Sequence, residues 1–102
     1  MIPVVAERAD ELKQLCLRYS VQRLDLFGSS VTGEYRPEES DLDFVVEFQP
    51  EPFSAYADTY FGLLEALEQL FGRSVDLVVG SAIKNPYFLQ SVEETRTMIY
   101  EA

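Results

Sequence analysis

The sequence predicts an α+β domain of two layers, a small β-sheet backed on one face by helices. Segments with apolar residues every three or four positions alternate with short runs of valine, leucine and phenylalanine, in the order helix, strand, strand, helix, strand, helix. The prolines and most of the glycines stand between these segments rather than within them. With 102 residues, no linker, no repeat and no low-complexity tract, residues 1–102 form a single domain large enough for an apolar core.

Each element has its own signal. From Val5 to Tyr19, Val5, Ala9, Leu12, Leu15, Cys16 and Tyr19 recur at helical spacing with charged residues between them, and Pro3 suits the first turn. Val21 to Phe27 alternates, with Val21, Arg23, Asp25 and Phe27 on one side and Gln22, Leu24 and Leu26 on the other, and it runs into Gly28. The segment Ser29 to Ser40 has room for at most a short helical turn before a polar loop. Leu42 to Phe48 follows as a strongly apolar strand. A helix from Ser54, as N-cap, to Phe71 buries Tyr56, Tyr60, Leu63, Leu64, Leu67, Leu70 and Phe71, and Gly72 suits a left-handed C-cap. Ser74 to Val79 is the third strand. Asn85-Pro86 opens a last helix reaching Tyr100, with Leu89, Val92, Arg96 and Ile99 on one face. The further apolar residues Tyr87, Phe88, Met98 and Tyr100 fit the core of so short a chain better than a partner surface.

Composition narrows the function. The hydrophobic content of 47% excludes disorder, and a net charge of -10, from 8 basic and 18 acidic residues, argues against direct nucleic-acid binding and for a basic protein partner. No apolar run is long enough to span a membrane and the N-terminus lacks a leader pattern, so a cytoplasmic location is expected. Cys16 reads as a reduced core thiol. Histidine is absent, so acid–base chemistry near neutral pH cannot rest on imidazole.

The candidate site lies in Gly28-Ser29 and Asp41-Leu42-Asp43. Gly28, at a strand end, lets an anion approach the backbone, and Ser29 adds a hydroxyl. Alternation puts Asp41 and Asp43 on one side of a strand, where their repulsion calls for a cation or an arginine. If the third strand lies beside the second, Asp76 converges on them and completes an oxygen-rich site suited to magnesium or manganese. Taken singly, each feature has a plainer reading: a hydroxyl-capped turn, a capped strand start, an exposed strand residue.

Together, Gly28-Ser29, Gly33 and Ser40-Asp41-Leu42-Asp43-Phe44-Val45-Val46 resemble the signature of the polymerase-beta-like nucleotidyltransferase superfamily, most closely its minimal MNT-domain members. Arg23-Leu24-Asp25-Leu26-Phe27 and Val75-Asp76-Leu77-Val78 extend the resemblance over nearly the whole chain. It implies a small mixed sheet backed by helices, ATP as substrate and a magnesium cofactor. It further implies Gly28 and Ser29 as the triphosphate turn, Asp41 and Asp43 as metal ligands, and Asp76 as the third ligand that also activates the acceptor. Many such proteins are antitoxins that transfer AMP to a tyrosine of a cognate HEPN-domain RNase toxin. Masking of the toxin by binding alone is the alternative. One departure is visible: Ser30-Val31-Thr32 leaves no arginine between Ser29 and Gly33, where many relatives carry one, and Arg36 is the nearest cation beyond.

Overall fold

The computed structural model describes residues 3–28, 31, 41–51 and 53–102. Ser29, Ser30, Thr32, Gly33, Arg36 and Ser40 lie outside the described residues. Helices α1 (Pro3–Ala6) and α2 (Ala9–Arg18) lead into β1 (Val21–Leu26); β2 (Leu42–Phe48), α3 (Phe53–Phe71) and β3 (Val75–Val79) follow. A 3-10 turn at Gly80–Ala82, α4 (Pro86–Thr95) and β4 (Thr97–Glu101) complete the chain. The sheet order is β3-β2-β1-β4; β1 runs antiparallel to β2 and β4, whereas β2 and β3 are parallel. This is the small mixed sheet backed by helices.

The first helix is broken rather than continuous from Val5 to Tyr19. The Arg8 N–H donates to the Val5 carbonyl at 3.0 Å, a tighter step than the α-helical one, and Leu12 N–H then donates to the Arg8 carbonyl at 2.9 Å. Val5 is thereby set into the core beside Leu12 and Cys16. Helix α3 starts at Phe53, so Ser54 stands inside its first turn and is not the cap. Its end is as expected: Gly72 takes φ +63 and its N–H donates to the Glu68 carbonyl at 2.8 Å. Leu63 and Leu67 are fully buried, while Tyr56 stays 37% exposed.

The largest correction falls at the end of the chain. Asn85 caps α4 by accepting from the N–H groups of Tyr87 and Phe88 at 2.9 and 3.2 Å. The helix stops at Thr95, Arg96 turns to extended backbone, and Thr97–Glu101 becomes the edge strand beside β1. Thr97, Ile99 and Tyr100 favour a pleated strand over a helix. Tyr87, Phe88 and Met98 are exposed, which overturns their assignment to the core, whereas Tyr100 packs against it.

A bulge in β1 between Val21 and Arg23 also changes the expected alternation: Val21 joins Leu24 and Leu26 in the core, and Gln22 is exposed. That main core lies between one sheet face and α2 and α3, and includes Phe44, Val46, Leu63, Leu67 and Leu77. A second cluster unites Phe27 and Val45 with Val92 of α4. Strand alternation puts Val45 on the side opposite Phe44 and Val46, so α4 covers part of the other sheet face. The helices therefore do not all share one face, and α4 leaves the rest of the second face to polar side chains.

Candidate active site

Strand alternation assembles the polar face. In β2, Leu42, Phe44 and Val46 enter the main core while Asp43 and Val45 turn away from it; in β3, Val75 and Leu77 enter it and Asp76 turns away. The parallel register pairs Asp43 directly with Asp76. Neighbouring strands run about 4.8 Å apart, so the two carboxylates stand side by side. Asp41 is exposed and just precedes β2.

Asp43 has its pKa raised from 3.8 to about 6, by burial first, then by the charges of Asp76 and Asp41. Gly28 closes on the same carboxylate: at its φ of +63, a Cβ would lie 3.0 Å from Asp43 Oδ2. A side chain there would press on the acid, and the left-handed conformation independently favours glycine. The structure thus brings Gly28, Asp43 and Asp76 together, with Asp41 near enough to be felt electrostatically. Among the described residues, no three carboxylate, cysteine or histidine side chains are gathered tightly enough to cage a metal ion by themselves.

Sequence reasoning missed the ionic network beside this face. Asp25 is fully buried. Arg23 donates to it through two nitrogens at 2.8 and 2.9 Å, and Arg96 Nε donates at 2.8 Å. Arg96 also reaches Glu93 at 2.8 Å. The Arg23-Leu24-Asp25 spacing signals the first pair, since alternate strand residues share a face. Arg96 carries no such signal, because the apolar spacing of this segment predicts a helix there. Thr95 is a second omission: its Oγ1 accepts from the Gly28 N–H at 2.8 Å.

Beside Asp76, the Tyr60 hydroxyl donates to the Leu77 carbonyl, and its pKa is raised by burial and then by Asp76. Tyr60, Tyr56, Val78, Ile83 and Phe88 line an open apolar groove of about 510 Å³. A larger hollow of about 640 Å³ lies between α2 and α3, across the sheet from the carboxylates.

A small mixed sheet backed by helices, with paired aspartates on neighbouring parallel strands and a glycine turn beside one of them, is consistent with a nucleotidyltransferase domain. The chain belongs to that family: residues 9–99 match the nucleotidyltransferase domain. It is 42% identical over 77 residues to a Methanocaldococcus jannaschii chain provisionally named a protein adenylyltransferase, covering 76% of this chain and 75% of that one. A solved structure provisionally described as a minimal nucleotidyltransferase superposes with a TM-score of 0.75 at 31% identity, covering 91% and 90% of the two chains. The fold also matches a chain of the tri-AMPylated Shewanella oneidensis HEPN toxin in complex with MNT antitoxin. That match has a TM-score of 0.65 at 18% identity and covers 95% of this chain and 72% of that one. Among the described residues, no helix is long and apolar enough to cross a membrane.

Proposed function

We propose that this chain is a magnesium-dependent adenylyltransferase that moves AMP from ATP to a tyrosine of a partner protein, and that the partner is a HEPN-type RNase toxin which it neutralises. The observation that carries the reading is the pairing of Asp43 with Asp76 on the face against which Gly28 turns. Two adjacent carboxylates, one of them held at a raised pKa by burial and then by the charges beside it, are oxygen donors that fit a hard divalent cation. Asp41, Asp43 and Asp76 would hold it, with phosphate oxygens and water in the remaining positions. When bound, the metal supplies charge neutralisation for the triphosphate and lowers the pKa of the acceptor hydroxyl.

The protein groups do the rest. Gly28 and Ser29 receive the triphosphate, Gly28 because it has no side chain to keep phosphate from the backbone. Asp76 takes the proton of the acceptor hydroxyl. The acceptor oxygen bonds to the α-phosphorus, the bond from that phosphorus to the bridging oxygen breaks, and pyrophosphate leaves with the electron pair. The net charge of -10 suits a partner with a basic RNA-binding face. The adenylyltransferase name of the Methanocaldococcus relative and the fold shared with a chain of the HEPN toxin–MNT antitoxin complex support the same reading.

A second reading, neutralisation by masking alone, is favoured by the apolar surface on and after α4, where Tyr87 is 82% and Met98 52% exposed. The two readings separate in one assay. The protein, its cognate partner, magnesium and ATP labelled at the α-phosphate are incubated, and the intact mass of each chain is read. Gain of AMP on the partner, absent in the doubly substituted Asp41→Asn, Asp43→Asn protein, is the expected result. A stable complex with no mass gain would leave masking in its place, and transfer at the native rate by the double variant would overturn the site.

A further inference from the structure

We infer that Thr95, far from the site in sequence, is a positioning residue for the Gly28 turn: its hydroxyl fixes the Gly28 peptide beside Asp43 and thereby sets the affinity for nucleotide. The inference rests on the reading of Gly28 as part of the triphosphate turn. The Gly28 N–H donates to Thr95 Oγ1 at 2.8 Å across 67 positions of sequence. The same hydroxyl donates to the Ser91 carbonyl at 3.0 Å. A hydroxyl has one proton and two lone pairs, so its commitment to Ser91 turns an acceptor lone pair toward Gly28. A threonine bonded back to the fourth preceding carbonyl is ordinary in a helix. Its use to receive an amide from another element is a separate role.

The surrounding contacts show what is being held. The end of β1 and the turn after it are gripped residue by residue from the last part of the chain. Arg96 binds the carboxylate of Asp25, Phe88 and Val92 pack on Phe27, and Thr95 holds Gly28. Asp25 and Phe27 are held through side chains, but Gly28 has none. Its peptide is fixed through the N–H to Thr95 and the carbonyl, which accepts from the Val31 N–H at 3.0 Å. Glycine at φ +63 has neighbouring conformations open to it that other residues lack, so hydrogen bonds must select this one. Any swing of the peptide changes the spacing between Gly28 and Asp43 Oδ2, where even a methyl group would lie at 3.0 Å.

Thr95→Val keeps the shape and removes the acceptor; Thr95→Ser keeps the acceptor. Two readouts are needed for each variant: amide hydrogen exchange of the metal-free protein, and affinity for a non-hydrolysable ATP analogue with magnesium, alongside KM and kcat for transfer. In Thr95→Val, exchange at Gly28 should rise about tenfold while the amides of β2 and β3 keep their rates. The analogue's Kd and the KM for ATP should rise roughly threefold to tenfold, as loss of one hydrogen bond implies, with kcat changed by less than about twofold. Thr95→Ser should restore all three. Unchanged exchange at Gly28 would overturn the inference, as would a loosened Gly28 with unchanged nucleotide affinity, or uniform loss of protection with KM unmoved. If the unaltered protein bound no nucleotide, the triphosphate reading of Gly28 would fall and this inference with it; equal binding by native and Thr95→Val proteins refutes the inference alone.

Discussion

Asp43→Asn is expected to make the metal-free domain more stable near neutral pH while it removes a carboxylate on which the proposed transfer depends. Burial and the charges of Asp76 and Asp41 raise the Asp43 carboxyl from 3.8 to about 6. At ~1.36 kcal/mol per tenfold change in acidity, that displacement corresponds to ~3 kcal/mol for a fully enclosed group. Asp43 is only partly buried, and solvent screening reduces the effect to ~1–1.5 kcal/mol. The sign follows from proton linkage. The folded pKa lies above the unfolded one, so the folded state holds the proton longer; the native protein loses stability as pH rises from about 4 to about 6 and carries the whole penalty above that range. Asparagine does not titrate, so the advantage of the variant should grow across that window and then level off. Urea denaturation of both proteins in chelator, at a series of pH values spanning the window, reads this difference directly. Magnesium with ATP should then stabilise the native protein and not the variant. A difference independent of pH would refute the argument that burial and mutual repulsion make the Asp43 carboxylate costly in the metal-free fold.

Arg96→Met should cost ~2–3 kcal/mol in the same denaturation assay, because it leaves the fully buried Asp25 with the Arg23 fork alone; a loss under about 0.5 kcal/mol would mean that Arg23 suffices. Gly28→Ala should lose ~1–2 kcal/mol from its left-handed φ of +63 and the contact with Asp43. Its nucleotide affinity should fall as well, and a variant that binds as tightly as the native chain would speak against the turn. Cys16 is 1% exposed and burial pushes its thiol up to about 12. Alkylating reagents should therefore label it only through unfolding, at rates that follow stability across urea concentrations; fast labelling of the native protein would contradict that burial.

The carboxylate face was legible because its signal is local. Period-two alternation assigns Asp43 and Asp76 to one side of their strands, and the parallel adjacency of those strands does the rest. The ends of Leu42–Phe48 were legible for the same reason, bounded by polar residues, and the third strand runs from Val75 to Val79, one residue shorter at its start than the expected Ser74. The last strand was not. Tyr87 to Tyr100 carries enough apolar residues to continue a helix, and the switch at Arg96 depends on a carboxylate 71 positions earlier in the chain. The Arg96 ion pair and the Thr95 hydrogen bond were illegible for a related reason: their partners Asp25 and Gly28 lie 71 and 67 positions away, and no periodicity reveals such contacts. The bulge at Val21–Arg23 likewise depends on the facing residues Phe48 and Glu47, which β1 itself does not encode.

The most direct test of the metal-nucleotide site is paramagnetic broadening of backbone amide signals by manganese-ATP at low stoichiometry. Broadening should appear first at Gly28, Asp43 and Asp76 and be lost when Asp41 and Asp43 are replaced by asparagine. Broadening centred on the hollow between α2 and α3, or persisting unchanged in the double variant, would contradict the placement of nucleotide and metal on the carboxylate face.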